Sequence, residues 1–227
     1  MPSIHSKWGT EISIVSGDYL YAKAFLLLAD IENPWLSRAF AACAHVICEG
    51  EMKQIEKRRS FLMSEAEYLK IIREKTAALF QAACMGGAYF SGTNPAIIER
   101  LGDYGYRIGM AFQIVDDCLD LMGNSESLGK TAGLDVYKND VTLPLLYVFG
   151  SLKDGERGAL LSELQNRGPA VFQKMKALAA ESRAIERAMS KVKEYTARAI
   201  ADLEGIADSP YKRSLRDLAA HCADRIR

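Results

Sequence analysis

Apolar side chains recur along this chain at the three- and four-residue steps of a helix, and sustained alternation of apolar and polar positions is absent. Ile12, Val15, Tyr19 and Ala22 place a helix over residues 11–30. Asn33-Pro34 breaks it, with Pro34 suited to a first helical turn, and a second helix runs from Trp35 toward Lys57. Ser64 followed by Glu67 has the spacing of a capping box and opens a long helix through Lys75 to about Tyr89. The turn Ser91-Gly92-Thr93-Asn94-Pro95 separates it from a helix spanning Ala96 to about Leu121. Residues 123–140, with Gly123, Gly129 and Gly133 among polar neighbours, read as a loop too long to be a mere connector. Helices resume at Thr142–Phe149, Asp154–Leu164, Ala170–Ala180, Glu181–Leu203 and Tyr211–Ile226. The pattern predicts an all-α fold forming one domain over residues 1–227.

Composition narrows the function classes. Lys+Arg and Asp+Glu balance at 29 each, which argues against a general nucleic-acid binder or a polybasic membrane binder. The five cysteines, Cys43, Cys48, Cys84, Cys118 and Cys222, lack CxxC spacing and read as reduced structural thiols. The histidines His5, His45 and His221 do not fall at zinc-ligand spacing with them. Met1-Pro2-Ser3-Ile4-His5 lacks the basic start and apolar run of a signal peptide. The longest apolar stretch, near Ala22 to Ala29, is broken by Lys23 and reads as too short for a transmembrane segment. The expectation is a soluble, cytoplasmic protein.

The chemistry gathers at Asp116-Asp117-Cys118-Leu119-Asp120. At about 100° per residue, Tyr104, Ile108, Ala111, Phe112, Val115, Leu119 and Met122 form one broad apolar face. Gln113, Asp116, Asp117 and Asp120 form a narrow polar stripe, flanked by Ile114, Cys118 and Leu121. Carboxylates crowded on one helix edge repel each other, the more so when desolvated. A hard divalent cation such as Mg²⁺, which bridges carboxylates to phosphates, removes that penalty. The alternative is a solvated acidic face, and the apolar flanks weigh against it.

With its context, Gly109-Met110-Ala111-Phe112-Gln113-Ile114-Val115-Asp116-Asp117-Cys118-Leu119-Asp120 resembles the second aspartate-rich motif of the trans-isoprenyl diphosphate synthases. The likeness continues through Leu128-Gly129-Lys130-Thr131-Ala132-Gly133-Leu134-Asp135 and Val141-Thr142-Leu143-Pro144. Upstream, Gly17-Asp18-Tyr19-Leu20-Tyr21-Ala22-Lys23-Ala24, Glu49-Gly50-Glu51 and Lys75-Thr76-Ala77 match in order and spacing. It is dense from Lys7 to Leu146 and generic after that.

The resemblance implies an isoprenoid-synthase-type helical bundle around a central cavity, working as a homodimer. It implies an elongating prenyltransferase that joins isopentenyl diphosphate to an allylic diphosphate. Asp116, Asp117 and Asp120 would hold Mg²⁺, Lys75, Lys130 and Gln113 would contact the diphosphate, and Lys75, Thr76 and Gln113 would carry the catalytic roles. The family's first acidic motif, its paired arginines and the helix that sets product length precede the stretch resembling Pro2 to Gly9. The chain is therefore expected to be a truncated part of a longer synthase, with Met1 an internal methionine, and impaired or inactive alone. Many family members carry a lysine where this chain has Asp140, with Lys138 a nearby substitute out of register. The same residues leave two other readings open: a non-catalytic or regulatory subunit, and a terpene cyclase. The product length and the pathway served are not readable from these motifs.

Overall fold

The computed structural model describes residues 3–123, 133–164 and 169–225. Among them every regular element is helical, and the chain divides into two compact units, Met1–Cys43 and Ala44–Arg227, where the sequence predicts one domain.

The first unit holds α1, Ile4–Asp30, and the opening turns of α2, Pro34–Glu56. Ser3 caps α1 by accepting from the Ser6 N–H, and Gly9, at φ 82°, interrupts it. That interruption is why periodicity locates only the segment after Gly9. Phe25 meets Tyr21 and Phe40 edge-on, at ring separations of 5.0 and 5.2 Å, joining α1 to the start of α2. No residue of α1 is buried. The helix has 27 residues and a mean hydropathy of 1.4 over an 18-residue window, so it is long and apolar enough to cross a membrane. This corrects the expectation of no segment of that length, which rested on the break at Lys23 although an apolar window of that length tolerates both Asp18 and Lys23. Length and composition alone do not separate a membrane span from a core helix of a soluble protein.

The second unit is organised around α5, Pro95–Met122. Before it come α3, Glu65–Ile72, a wide π-helical turn, Arg73–Ala77, and α4, Ala78–Phe90. The capping box at Ser64 and Glu67 is present in both directions. The sequence predicts one regular helix here; the π turn inserts into it. After α5 come α6, Leu134–Lys138; α7, Leu143–Ser151; and α8, Asp154–Glu163. The chain then forms α9, Pro169–Glu181; α10, Ala184–Asp202; and α11, Pro210–Asp224. The predicted loop 123–140 thus contains a short helix, and α9 hands over to α10 through Arg183 at φ 51°.

α5 packs chiefly on α4 and α10, with the π turn, α7 and α11 around it. Gly109 permits the approach to the π turn: a Cβ there would lie 2.6 Å from the Ala77 Cα. Of the predicted apolar face of α5, Tyr104, Ile108, Ala111 and Val115 are buried, and the buried side extends beyond it. Ile114, Val115 and Cys118 are fully buried and Leu121 nearly so, whereas Phe112 and Leu119 are half-buried and Met122 is exposed. The predicted flanks of the acidic stripe, Ile114, Cys118 and Leu121, join the core as well, because helices cover α5 on most sides and leave the stripe as its opening.

Candidate functional site

That opening is a cleft of about 240 Å³ in the second unit. Asp116, Asp117 and Gln113 of α5 line it with Asp135 of α6, Tyr68 of α3, Lys75 of the π turn, Gln54 of α2 and Lys57 just after α2. Met63, Ile71, Ile72 and Val141 complete it with apolar surface. A larger groove of about 660 Å³ beside Leu121, Met122, Ile185 and Met189 carries Lys176, Lys193 and Glu186 but no acidic pair, so the chemistry belongs to the smaller cleft.

A chain of hydrogen bonds crosses the cleft floor. Thr76 Oγ1 donates to Gln113 Oε1 at 2.7 Å, Gln113 Nε2 donates to Asp117 Oδ1 at 2.8 Å, and Tyr68 Oη donates to Asp117 Oδ2 at 2.6 Å. The structure thereby brings Thr76, Gln113 and Asp117 together. The π turn shapes this arrangement, as such turns often do at functional sites. It also lets the helix approach α2, where a Cβ on Gly50 would lie 2.5 Å from the Lys75 backbone nitrogen. Lys75 Nζ donates to Gln54 Oε1 at 2.7 Å and lies 3.4 Å from Glu51, so it reaches the cleft from a wall anchored on α2.

Asp120 takes a different place from Asp116 and Asp117. Its Oδ1 accepts from the Leu134 N–H at 3.1 Å and its Oδ2 from the Asp135 N–H at 3.0 Å, while its carbonyl accepts from Gly133. The carboxylate therefore caps α6, and α6 presents Asp135 to the cleft. Among the described residues, no three acidic, histidine or cysteine side chains converge as a ready cation cage. Asp116, Asp117 and Asp135 share the cleft instead, open toward a ligand. Lys130 lies outside the described residues, as does the rest of residues 124–132.

Asp135 is the residue that the spacing of the aspartates misses. It lies 15 positions beyond Asp120 in the sequence, and only the hydrogen bonds of Asp120 reveal that the two belong together. Burial pushes the Asp135 carboxyl far above the usual carboxylate range, and repulsion from Asp117, Asp120, Asp140 and Asp116 adds to it. Burial likewise pushes Asp117 up; its bonds from Tyr68 and Gln113 and the charge of Lys75 oppose the shift, while Asp116 reinforces it. Buried acidic groups that repel one another this way favour a bound cation. The donor set, all carboxylate oxygen, fits a hard divalent ion.

Asp140 takes no place on the cleft wall. Arg58 Nε donates to its Oδ1 at 2.7 Å, and Arg59 N–H donates to the Asn139 carbonyl at 3.0 Å. The turn after α2 is thus fastened to the connection between α6 and α7.

Comparisons with known proteins identify the family and the fold. The polyprenyl synthetase family model matches residues 1–181. Heptaprenyl diphosphate synthase component 2 of Geobacillus stearothermophilus is 36% identical over 99% of this chain and 69% of its own length. Octaprenyl diphosphate synthase of Haemophilus influenzae is 33% identical over 97% of this chain and 68% of its own. A crystal structure of polyprenyl synthase from Caulobacter crescentus, complexed with calcium and isoprenyl diphosphate, superposes with a TM-score of 0.92 at 34% identity. It covers 97% of this chain and 68% of that one.

Proposed function

The chain belongs to the polyprenyl synthetase family of prenyl-group transferases, and on that premise we propose that it condenses isopentenyl diphosphate with an allylic diphosphate to make a longer trans-polyprenyl diphosphate, with Mg²⁺ as its cation. The observation that carries the reading is the cleft itself, where Asp116, Asp117 and Asp135 line a small, partly apolar space together with Lys75 and Lys57. Such a space suits a diphosphate bridged by a cation to carboxylates on one side and paired with lysines on the other.

Asp116 and Asp117, with Asp135 beside them and Asp120 behind, would hold the cation. When bound, Mg²⁺ supplies Lewis-acid stabilisation of the charge that grows on a departing diphosphate. Lys75 neutralises part of that charge, and Lys130 joins it in this reading. Thr76 and Gln113 present fixed dipoles at the floor of the cleft, suited to the cationic carbon left when the allylic bond breaks. Met63, Ile71 and Ile72 keep water away, which strengthens each of these interactions. The homoallylic double bond then attacks that carbon, and loss of a proton completes the extension.

Incubating the protein expressed from its complete reading frame with Mg²⁺, isopentenyl diphosphate and a labelled allylic diphosphate tests the reading. Longer diphosphates support it, whereas cyclic hydrocarbons or no product refute it. A working homodimer is part of the proposal. The exposed apolar side chains of α1, among them Val15, Tyr19, Leu20 and Leu26, support association with another chain. They favour equally a second reading, in which the partner is a different subunit. Mass measurement of the purified protein in solution separates the two, since only the homodimer forms from this chain alone.

A further inference from the structure

We propose that Tyr68 is the positioning residue for Asp117, fixing the plane of that carboxylate for the cation, an inference that rests on the reading of the cleft as a cation-diphosphate site. An aspartate turns freely about its last torsion, because that sp³–sp² rotation has broad minima. Asp117 is held at both ends: Gln113 donates to Oδ1 and Tyr68 to Oδ2. Gln113 lies one turn earlier on the same helix and travels with it. Tyr68 brings its donor from α3, and so ties the carboxylate to a second element.

α3 is itself well anchored. Its capping box fixes the first turn, Tyr147 Oη donates to Glu65 Oε2 at 2.9 Å, and Lys191 Nζ lies 3.0 Å from Glu65 Oε1. One turn later the Tyr68 ring is only 2% exposed. A phenylalanine would fill that volume, and a buried hydroxyl is costly unless it is hydrogen-bonded. Here it is bonded to one of the carboxylates that line the cleft. Each carboxylate oxygen accepts more than one bond, so both retain capacity for a ligand.

The test is Mn²⁺ titration of the full chain in the presence of inorganic pyrophosphate, followed by the electron paramagnetic resonance of free Mn²⁺, which needs no turnover. Residues that orient metal ligands typically change metal affinity 10- to 100-fold when lost, and Y68F is expected to bind Mn²⁺ about tenfold more weakly with little change in melting temperature. Tyr104→Phe is the control: the residue is as buried as Tyr68, but its hydroxyl donates to the Leu215 carbonyl at 2.8 Å, among a separate cluster of apolar residues, and its loss should leave Mn²⁺ binding unchanged. In an Asp117→Asn background, Y68F should cost no further affinity. The proposal is overturned if Y68F binds like wild type, if Tyr104→Phe weakens binding as much, or if Y68F still weakens binding when Asp117 is Asn. Wild-type protein that binds no Mn²⁺ under these conditions would instead refute the cation reading of the cleft.

Discussion

Arg58 and Asp140, 82 positions apart in sequence, meet through a 2.7 Å bond from Arg58 Nε to Asp140 Oδ1. The aspartate is 6% exposed at its side chain and the arginine 42%, so the buried partner depends on the accessible one. Arg58→Met should therefore destabilise the protein by about 1–3 kcal/mol, because a buried carboxylate loses its charged partner. Urea denaturation measures it. Adding Asp140→Asn to Arg58→Met should recover part of the loss, and purely additive effects would contradict the dependence.

Gly50 makes a second prediction through close approach. The Gly50→Ala methyl would lie 2.5 Å from the Lys75 backbone nitrogen, which cannot rotate away. We expect about 1–3 kcal/mol of destabilisation, as for other overpacked sites, together with weaker pyrophosphate binding. Gly87→Ala on α4, where nothing lies within 4 Å of a new Cβ, should be neutral or stabilising by up to about 1 kcal/mol. Thermal melts of both variants check the contrast.

The acidic cluster makes stability depend on pH in an unusual direction. Burial and repulsion push Asp117 up to about 7 and Asp135 up to about 8. Unfolded aspartates titrate near about 4, so between there and about 8 the folded state binds more protons than the unfolded one. The contribution of these two groups to stability therefore falls as pH rises through that window. Cation-free protein should melt at lower temperature toward the alkaline end, and added Mg²⁺ should raise the melting temperature most there. A Mg²⁺ effect that shrinks as pH rises would contradict this assignment.

Asp116 and Asp120 should respond oppositely to truncation. Asp116 adds to the repulsion felt by Asp117 and Asp135, so Asp116→Ala should stabilise the cation-free protein while weakening Mn²⁺ binding. Asp120 accepts two backbone N–H groups at the start of α6, and Asp120→Ala should destabilise by about 1–3 kcal/mol through their loss. Denaturation with and without Mn²⁺ distinguishes the pair.

Most of the longer helices were legible because each has an apolar period and a cap or breaker at its ends, as at Ser64, Asn94 and Pro95, whereas the short α6 has no side-chain cap and too few residues to show a period. Asp116, Asp117, Thr76 and Gln113 were legible as a constellation because the family motifs preserve their order. Other relationships depend on contacts that no local pattern encodes. The π turn leaves no residue signature, since Arg73 to Ala77 are ordinary helix formers. Asp135 reaches the cleft only through backbone bonds made to Asp120. The role of Tyr68 was hidden because a tyrosine at helical spacing reads as core, and by burial it is core. The membrane-length run of α1 was obscured by Asp18 and Lys23, which divide the apolar stretch without ending it.

The wide turn at Arg73–Ala77 has a consequence for how this gene can vary. Each residue added to or removed from a helix swings its N-terminal part by about 100° relative to its C-terminal part. Deleting one codon there would leave a regular helix of sound composition, yet it would turn Tyr68, Ile71 and Ile72 away from α5 while Thr76 stayed beside Gln113. Substitutions between Tyr68 and Thr76 can be sampled one at a time; a change in their number cannot. In this stretch the cleft is specified by a residue count as much as by residue identities.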